Sequence, residues 1–316
     1  MEGCEREVMK KRLKPPILVS FGGLLLLVVF ISALLPIAYY STPFILEKGY
    51  ELLTSSEWNP SANKFGAIQF ILGSLWVTFW STLLTLPLSV SMAVFAAELA
   101  PKRLKTLVGG LVDLIAAVPS VVYGYWGLMI FGPLMATYFY PTFQSILSNV
   151  PLISTLVETS SITPQCFMTA VLVLSLMMIP YASAIIRNSY EMIPKDLKEA
   201  VYALGGDQWD VIKIGIGYVK SSIVAGTIIA AGRALGETMA VTMLIGNSIG
   251  PFKPCLLCRG ATITSLVANE FEEAMMNPLH SEALTTLILI LVGMGFALLY
   301  FGRKVSKNFM EVEASA

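Results

Sequence analysis

Arg233 and Glu237 are charged residues placed where charge is expensive. They lie in Gly232-Arg-Ala-Leu-Gly-Glu-Thr-Met-Ala-Val241, inside an apolar run from about Ile223 to Ile245 that is long enough to cross a bilayer. An ionised side chain at bilayer depth costs on the order of 3 kcal/mol or more, so it is rarely left facing lipid. On a continuous helix, residues four apart share one face. Gly226 and Ala230 fall on the same side and leave room beside the pair. The simplest reading is a polar site facing a pathway or a partner helix, in a protein that moves something across a membrane. The plainer reading is a buried ion pair that fixes helix packing. Gly232 and Gly236 form a G-x-x-x-G, which suits close helix approach. Thr238 and Thr242 have hydroxyls for an ion or, more simply, for hydrogen bonds between helices.

The elements that must hold such a site are helices in lipid. The chain has 316 residues, 55% of them hydrophobic and 13% charged, with a mean hydropathy of +0.72. Soluble domains carry roughly 25% charged residues, so this is a polytopic membrane protein. Formal net charge is zero, which leaves no bulk basicity for nucleic acid.

A span needs about 20 apolar residues. Six are expected, over roughly Pro16–Tyr39, Ile68–Ala97, Leu107–Met135, Gln165–Arg187, Ser221–Asn247 and Glu282–Gly302. The basic start, with Arg6, Lys10, Lys11, Arg12 and Lys14, looks like a signal peptide. The apolar run after it is longer than a signal core, so it reads as a retained first span. Lys and Arg also gather at Pro101–Lys105, from Arg187 to Lys220, and at Arg303, Lys304 and Lys307, whereas the alternate loops are poorer. Both termini are therefore expected in the cytoplasm. Pro119 and Ser120 interrupt the third span and Pro180 the fourth. These are either breaks where neighbours or water satisfy the backbone, or ordinary proline kinks. Asp113, a turn into the third span, reads as snorkelling to water.

The loop from Arg187 to Lys220 is too regular to be disordered. Pro194, then Asp196, Leu197, Ala200, Val201 and Leu204, then Gly205-Gly206, describes a short amphipathic helix with a proline start and a glycine stop. A second amphipathic segment, Trp209 to Ile216, leads back to the membrane. No G-x-x-x-x-G-K-[ST] loop occurs, so no P-loop ATPase belongs to this chain, and no catalytic or metal-ligand cluster stands out. Cys255 and Cys258 form a lone C-x-x-C, which is a disulfide, half a metal site or chance; a disulfide stiffening the loop is preferred.

The segment Lys198-Glu-Ala-Val-Tyr-Ala-Leu-Gly205 resembles the EAA loop of membrane subunits of ABC importers, with Glu199, Ala200 and Gly205 matching and Val201 at the second alanine. Ile216-Gly217 replaces that family's usual Leu-Pro exit. Ala116-Ala-Val-Pro-Ser-Val-Val-Tyr-Gly124 with Trp126-Gly127, and the Gly232–Val241 segment, are similar to signatures of phosphate permeases of the PstC type. The resemblance implies an all-α fold: a type I ABC importer (MetI-like) core of five helices over 68–302, preceded by a tail, an added helix and an outer loop in 1–67, and followed by a cytoplasmic tail, 303–316. It implies a non-enzymatic subunit of the cytoplasmic (inner) membrane with no cofactor of its own. Its partners would be a PstA-like permease, two copies of a P-loop ATPase that binds the ATP, and an extracytoplasmic phosphate-binding protein.

On that resemblance Arg233 would lower the barrier for a phosphate oxyanion, since a planar guanidinium suits its geometry. Glu237 would neutralise Arg233 when the pathway is empty, or pair with a basic residue of the partner permease. Thr238, Pro119, Ser120 and Tyr123 would line the pathway or simply pack. Glu199, Ala200, Gly205, Leu204 and Pro194 would form the ATPase-docking surface, against the alternative of a helix resting on lipid. The loops at about Tyr40–Ala67 and Ser248–Ser281 would receive the binding protein. Alternatives are the same machine carrying sulfate or molybdate, or an ion-coupled secondary transporter with Arg233 and Glu237 as a charge relay.

Overall fold

The computed structural model describes residues 17–150 and 154–315; the expected basic cluster at Arg6–Lys14 and Pro16 lie outside them. The architecture is helical, with one small hairpin. In chain order the main elements are α1 (Ile17–Thr54), strands β1 (Trp58–Asn59) and β2 (Lys64–Phe65), α2 (Ile68–Val94), α3 (Lys102–Ala117), α4 (Ser120–Trp126), α5 (Tyr140–Leu147), α6 (Phe167–Glu191), α7 (Lys195–Ala203), α8 (Gln208–Tyr218), α9 (Lys220–Gly236), α10 (Met239–Leu244), α11 (Ile263–Ala274) and α12 (Pro278–Ser315). A π-helical turn, Phe95–Leu99, ends α2, and two more, Gly127–Phe131 and Met135–Phe139, link α4 to α5. Among the described residues four helices are long and apolar enough to cross a membrane. There are up to six such spans if two bent pairs, α3 with α4–α5 and α8 with α9, each count as one.

The centre is α2, α6 and α9, whose shared core includes Val77, Leu174, Met178 and Ala230, joined by Leu244 of α10. In lipid the hydrophobic effect does not press helices together, so small residues and hydroxyls do it. Ser175 Oγ donates to Ser81 O at 3.2 Å and Thr85 Oγ1 reaches Ser175 O at 3.4 Å, which joins α2 to α6. Gly226 and Ala230 are spent here too. A side chain at Gly226 would meet Ala182 O at 3.1 Å, and Ala230 is buried. They seat α9 on α6 and do not leave room beside Arg233, as the sequence suggested. Outside the core, α1 leans on α12 through Phe30 and Phe296. Leu24, Leu26 and Leu27 of α1 are exposed, as lipid-facing residues are.

Several expected boundaries move. α1 stays helical through Thr54, so most of the outer loop expected from Tyr40 is helix. Phe44 and Leu52 pull that extension into a core with Trp58, Phe65 and Phe70. Pro36 and Pro43 sit within it, and between them Ser41 Oγ donates to Ile37 O at 2.8 Å. Pro180 lies inside an unbroken α6, so it does not interrupt the fourth span; tight packing on α2 and α9 holds the helix through it. The third span does break. Val118 and Pro119 are extended, and the axis turns by 90°. The last helix runs beyond the expected Glu282–Gly302 at both ends.

At the end of the bundle away from α7, α2 passes very close to the loop before α11. A Cβ on Gly73 would collide with Ala261 O, a backbone atom that cannot swing away. Gly73→Ala should therefore destabilise the chain by about 2–3 kcal/mol, the upper range for overpacking, seen as a lower thermal unfolding midpoint of the detergent-solubilised protein. An unchanged midpoint would show that this contact relaxes freely.

Candidate functional site

The expected pair is separated by a second helix break. α9 ends at Gly236, and Glu237 adopts extended backbone with ψ 127°. Arg233 and Glu237 therefore do not share a continuous helix face, and no ion pair joins them. The Thr264 hydroxyl donates to Glu237 O at 2.9 Å and satisfies a carbonyl that the break frees. Glu237 is 9% exposed, while Arg233 is exposed on the chain's surface. Thr238 caps the short α10. Its Oγ1 bonds locally to Gly236 O, and Thr242 Oγ1 bonds back to Thr238 O, so neither hydroxyl bridges helices.

Arg233 is held by an aromatic ring instead of a carboxylate. Its guanidinium carbon lies 4.2 Å from the centre of the Tyr181 ring. Such stacking contributes about 0.5–2 kcal/mol and leaves the in-plane N–H donors free. Tyr181 Oη in turn donates to Ala116 O at 3.0 Å, and Tyr123 Oη to Ile115 O at 2.9 Å. The two phenols thus take the carbonyls left open where α3 stops before Pro119. The breaks are also adjacent to each other, since a side chain on Gly124 of α4 would meet Ala240 Cα of α10 at 3.0 Å. The fold therefore brings Arg233, Glu237, Thr238, Pro119, Ser120 and Tyr123 into one region where two helices are interrupted. Tyr181, which sequence reasoning missed, links the two halves.

No neighbour within the chain fills the space at Gly232 and Gly236. The expected close approach does not occur inside this chain, and these glycines leave the guanidinium's flank open. An exposed charge inside an apolar span is costly to leave facing lipid. Chemically it presents free, oriented cationic donors to an anion.

The second set of expected residues lies at one end of the bundle. α7 spans Lys195–Ala203 with Pro194 just before it, and Gly205 has φ +86°. Gly205 N–H donates to Tyr202 O and Gly206 N–H to Val201 O, the paired bonds of a Schellman stop. Asp207 then caps α8 in a reciprocal capping box with Asp210. Val201 is buried against the bundle, while Pro194, Glu199, Ala200, Leu204 and Gly205 all face outward, Leu204 at 89% exposure. Lys198 ties this helix to the long ones: its ammonium pairs with Glu98 at the end of α2 and lies 5.2 Å from the Tyr190 ring centre on α6. Sequence reasoning had not marked Glu98 or Tyr190.

At the far end of α6 the loop after α10 folds over the bundle. Cys255 and Cys258 are joined by a disulfide, and Phe167 N–H donates to Cys258 O at 3.0 Å. Among the described residues Cys166 is the free cysteine, and it is buried. Among the described residues no three His, Cys, Asp or Glu side chains converge as a metal site.

The family model for the binding-protein-dependent transport system inner membrane component matches residues 86–307. The chain belongs to that family: it is a multi-pass membrane subunit of a binding-protein-dependent ABC importer, a transport component and not an enzyme. Among curated relatives, it is 36% identical over 288 residues to the phosphate transport system permease protein PstC of Xylella fastidiosa strain Temecula1, covering 91% of this chain and 88% of that one. It is 39% identical to the protein of that name from Pasteurella multocida, over 77% of this chain and 75% of that one. It is 34% identical to the probable PstC of Methanocaldococcus jannaschii, over 90% and 91%. The fold is similar to that in inward-facing structures of the MetNI methionine ABC transporter, with a TM-score of 0.54, 15% identity, and coverage of 77% of this chain and 95% of that one.

Proposed function

We propose that this chain is the phosphate-translocating permease subunit of an ATP-driven importer supplied by an extracytoplasmic phosphate-binding protein. The observation that carries this reading is the 36% identity to a PstC permease across 91% of the chain. Sulfate and molybdate carriage lacks that support, and an ion-coupled mechanism for the chain alone does not fit its family.

The geometry supports finer assignments. Each bent pair counts as one span, giving six with both termini on the cytoplasmic side. α7 is the coupling helix, seated in a cleft of one of two ATPase copies through Glu199, Ala200, Leu204, Gly205 and Pro194. The open flank of α9, with Gly232, Arg233 and Gly236, faces a PstA-like permease across the pathway. ATP is bound by the partner ATPase, and this chain needs no cofactor. Uptake of radiolabelled phosphate into proteoliposomes holding both permeases and the ATPase, with binding protein added, tests the reading. Dependence on ATP and on every partner is expected, and uptake by this chain alone would overturn it.

The orientation has its own test. In a Cys4→Ala chain, a membrane-impermeant reductant followed by an impermeant maleimide should label two thiols, Cys255 and Cys258, from outside intact cells. Cys166 should react only after unfolding. Labelling that requires permeabilised cells would reverse the topology.

A further inference from the structure

Beside the disulfide loop lies a cleft of about 430 Å³ whose lining includes Gln69, Ser161, Thr163, Ser248, Lys253 and Arg259. Its chemistry is one-sided. Two cations and several hydroxyls line it, and no carboxylate does. Among the described residues neither Lys253 nor Arg259 forms an ion pair; Arg259 Nη2 donates to the neutral Gln165 Oε1 at 3.2 Å, and Gln165 Nε2 donates to Met243 O at 3.2 Å. The walls are fixed by backbone, with Ser248 N–H donating to Gly260 O and the disulfide closing the turn.

Gln69 makes the cleft selective. It is the buried polar side chain of the lining, at 4% exposure. Its Nε2 donates to Gly66 O at 3.1 Å, which fixes the amide's orientation. That leaves Oε1 buried with no partner, able only to accept a hydrogen bond. A buried acceptor without a donor calls for an explanation, and a ligand bearing an O–H supplies one. At neutral pH phosphate and arsenate keep at least one O–H, whereas sulfate has none.

We propose that this cleft is an entry subsite for a protonated tetrahedral oxyanion: Lys253 and Arg259 attract its charge, and Gln69 Oε1 accepts its hydroxyl proton. The proposal rests on the phosphate-importer reading and adds a second point of selection within the permease, apart from Arg233.

The test uses the complete permease–ATPase complex in nanodiscs, without nucleotide or binding protein, and inorganic phosphate observed by ³¹P line broadening. Arsenate should abolish the broadening and equimolar sulfate should leave it. Lys253→Gln and Arg259→Gln, both exposed and so tolerant of change, should each weaken phosphate binding about tenfold, the equivalent of one charge-assisted hydrogen bond. Gln69→Met should let sulfate compete. Broadening unchanged in Lys253→Gln and Arg259→Gln would overturn the subsite, and sulfate competing with the wild type would overturn the role of Gln69. ATP-driven uptake by the same wild-type complex moved into proteoliposomes, with binding protein, separates the two readings. Its absence overturns the phosphate-importer reading, while normal uptake with unaltered variants overturns the subsite alone.

Discussion

Arg233→Gln should lower ATP-driven phosphate uptake about a hundredfold while the assembled complex keeps its stability. Among the described residues the guanidinium has no ion pair, and it rests on the Tyr181 ring, so the fold loses at most the stacking, about 0.5–2 kcal/mol. The moving anion loses more. Two charge-assisted hydrogen bonds of about 1.5 kcal/mol each amount to ~3 kcal/mol, or two powers of ten. Arg233→Lys keeps the charge but not the planar fork, and should recover only part of the rate. Uptake at wild-type rate in the Gln variant, with subunits intact by size-exclusion chromatography, would reduce Arg233 to a packing residue.

Leu204→Asp should uncouple the ATPase without unfolding the permease. Leu204 is 89% exposed in the chain, so the fold does not depend on it. A docked leucine contributes about 1.5–3 kcal/mol by burial, and a carboxylate in its place adds a desolvation cost. Association with the ATPase should fall ten- to a hundredfold, measured by titration of labelled ATPase onto permease nanodiscs, with uptake falling in parallel. Gly205→Val tests the same surface by strain: nothing crowds its Cβ, but φ +86° is costly for a β-branched residue. Wild-type affinity in Leu204→Asp would remove this end from the ATPase interface.

What the sequence made legible was local. Pro194, the helical spacing up to Leu204 and the paired glycines specify α7 and its stop with no help from the rest of the chain. Pro119 likewise marks its break, because proline and its predecessor both disfavour continuing a helix. Pro180 carries the same mark, yet α6 runs through it, since packing on two neighbours outweighs one lost hydrogen bond. The break at Glu237 has no such mark within its apolar run; it depends on a hydroxyl from Thr264, well along the chain. The cleft was invisible for a related reason, since Gln69, Thr163 and Arg259 come from three separate segments.

The contrast between unbroken α6 and the two interrupted helices has a mechanical consequence. α6 is a stiff strut of about 37 Å by helical rise, clamped near one end to α7 through Tyr190 and Lys198 and near the other to the disulfide loop. Force applied at α7 travels along that strut with little loss. The compliant joints are the two breaks, and Arg233 lies in the last turn of α9, just before the second of them, stacked on Tyr181 of the strut. On the proposed coupling role of α7, a stroke applied there becomes a change of angle beside the Arg233 guanidinium.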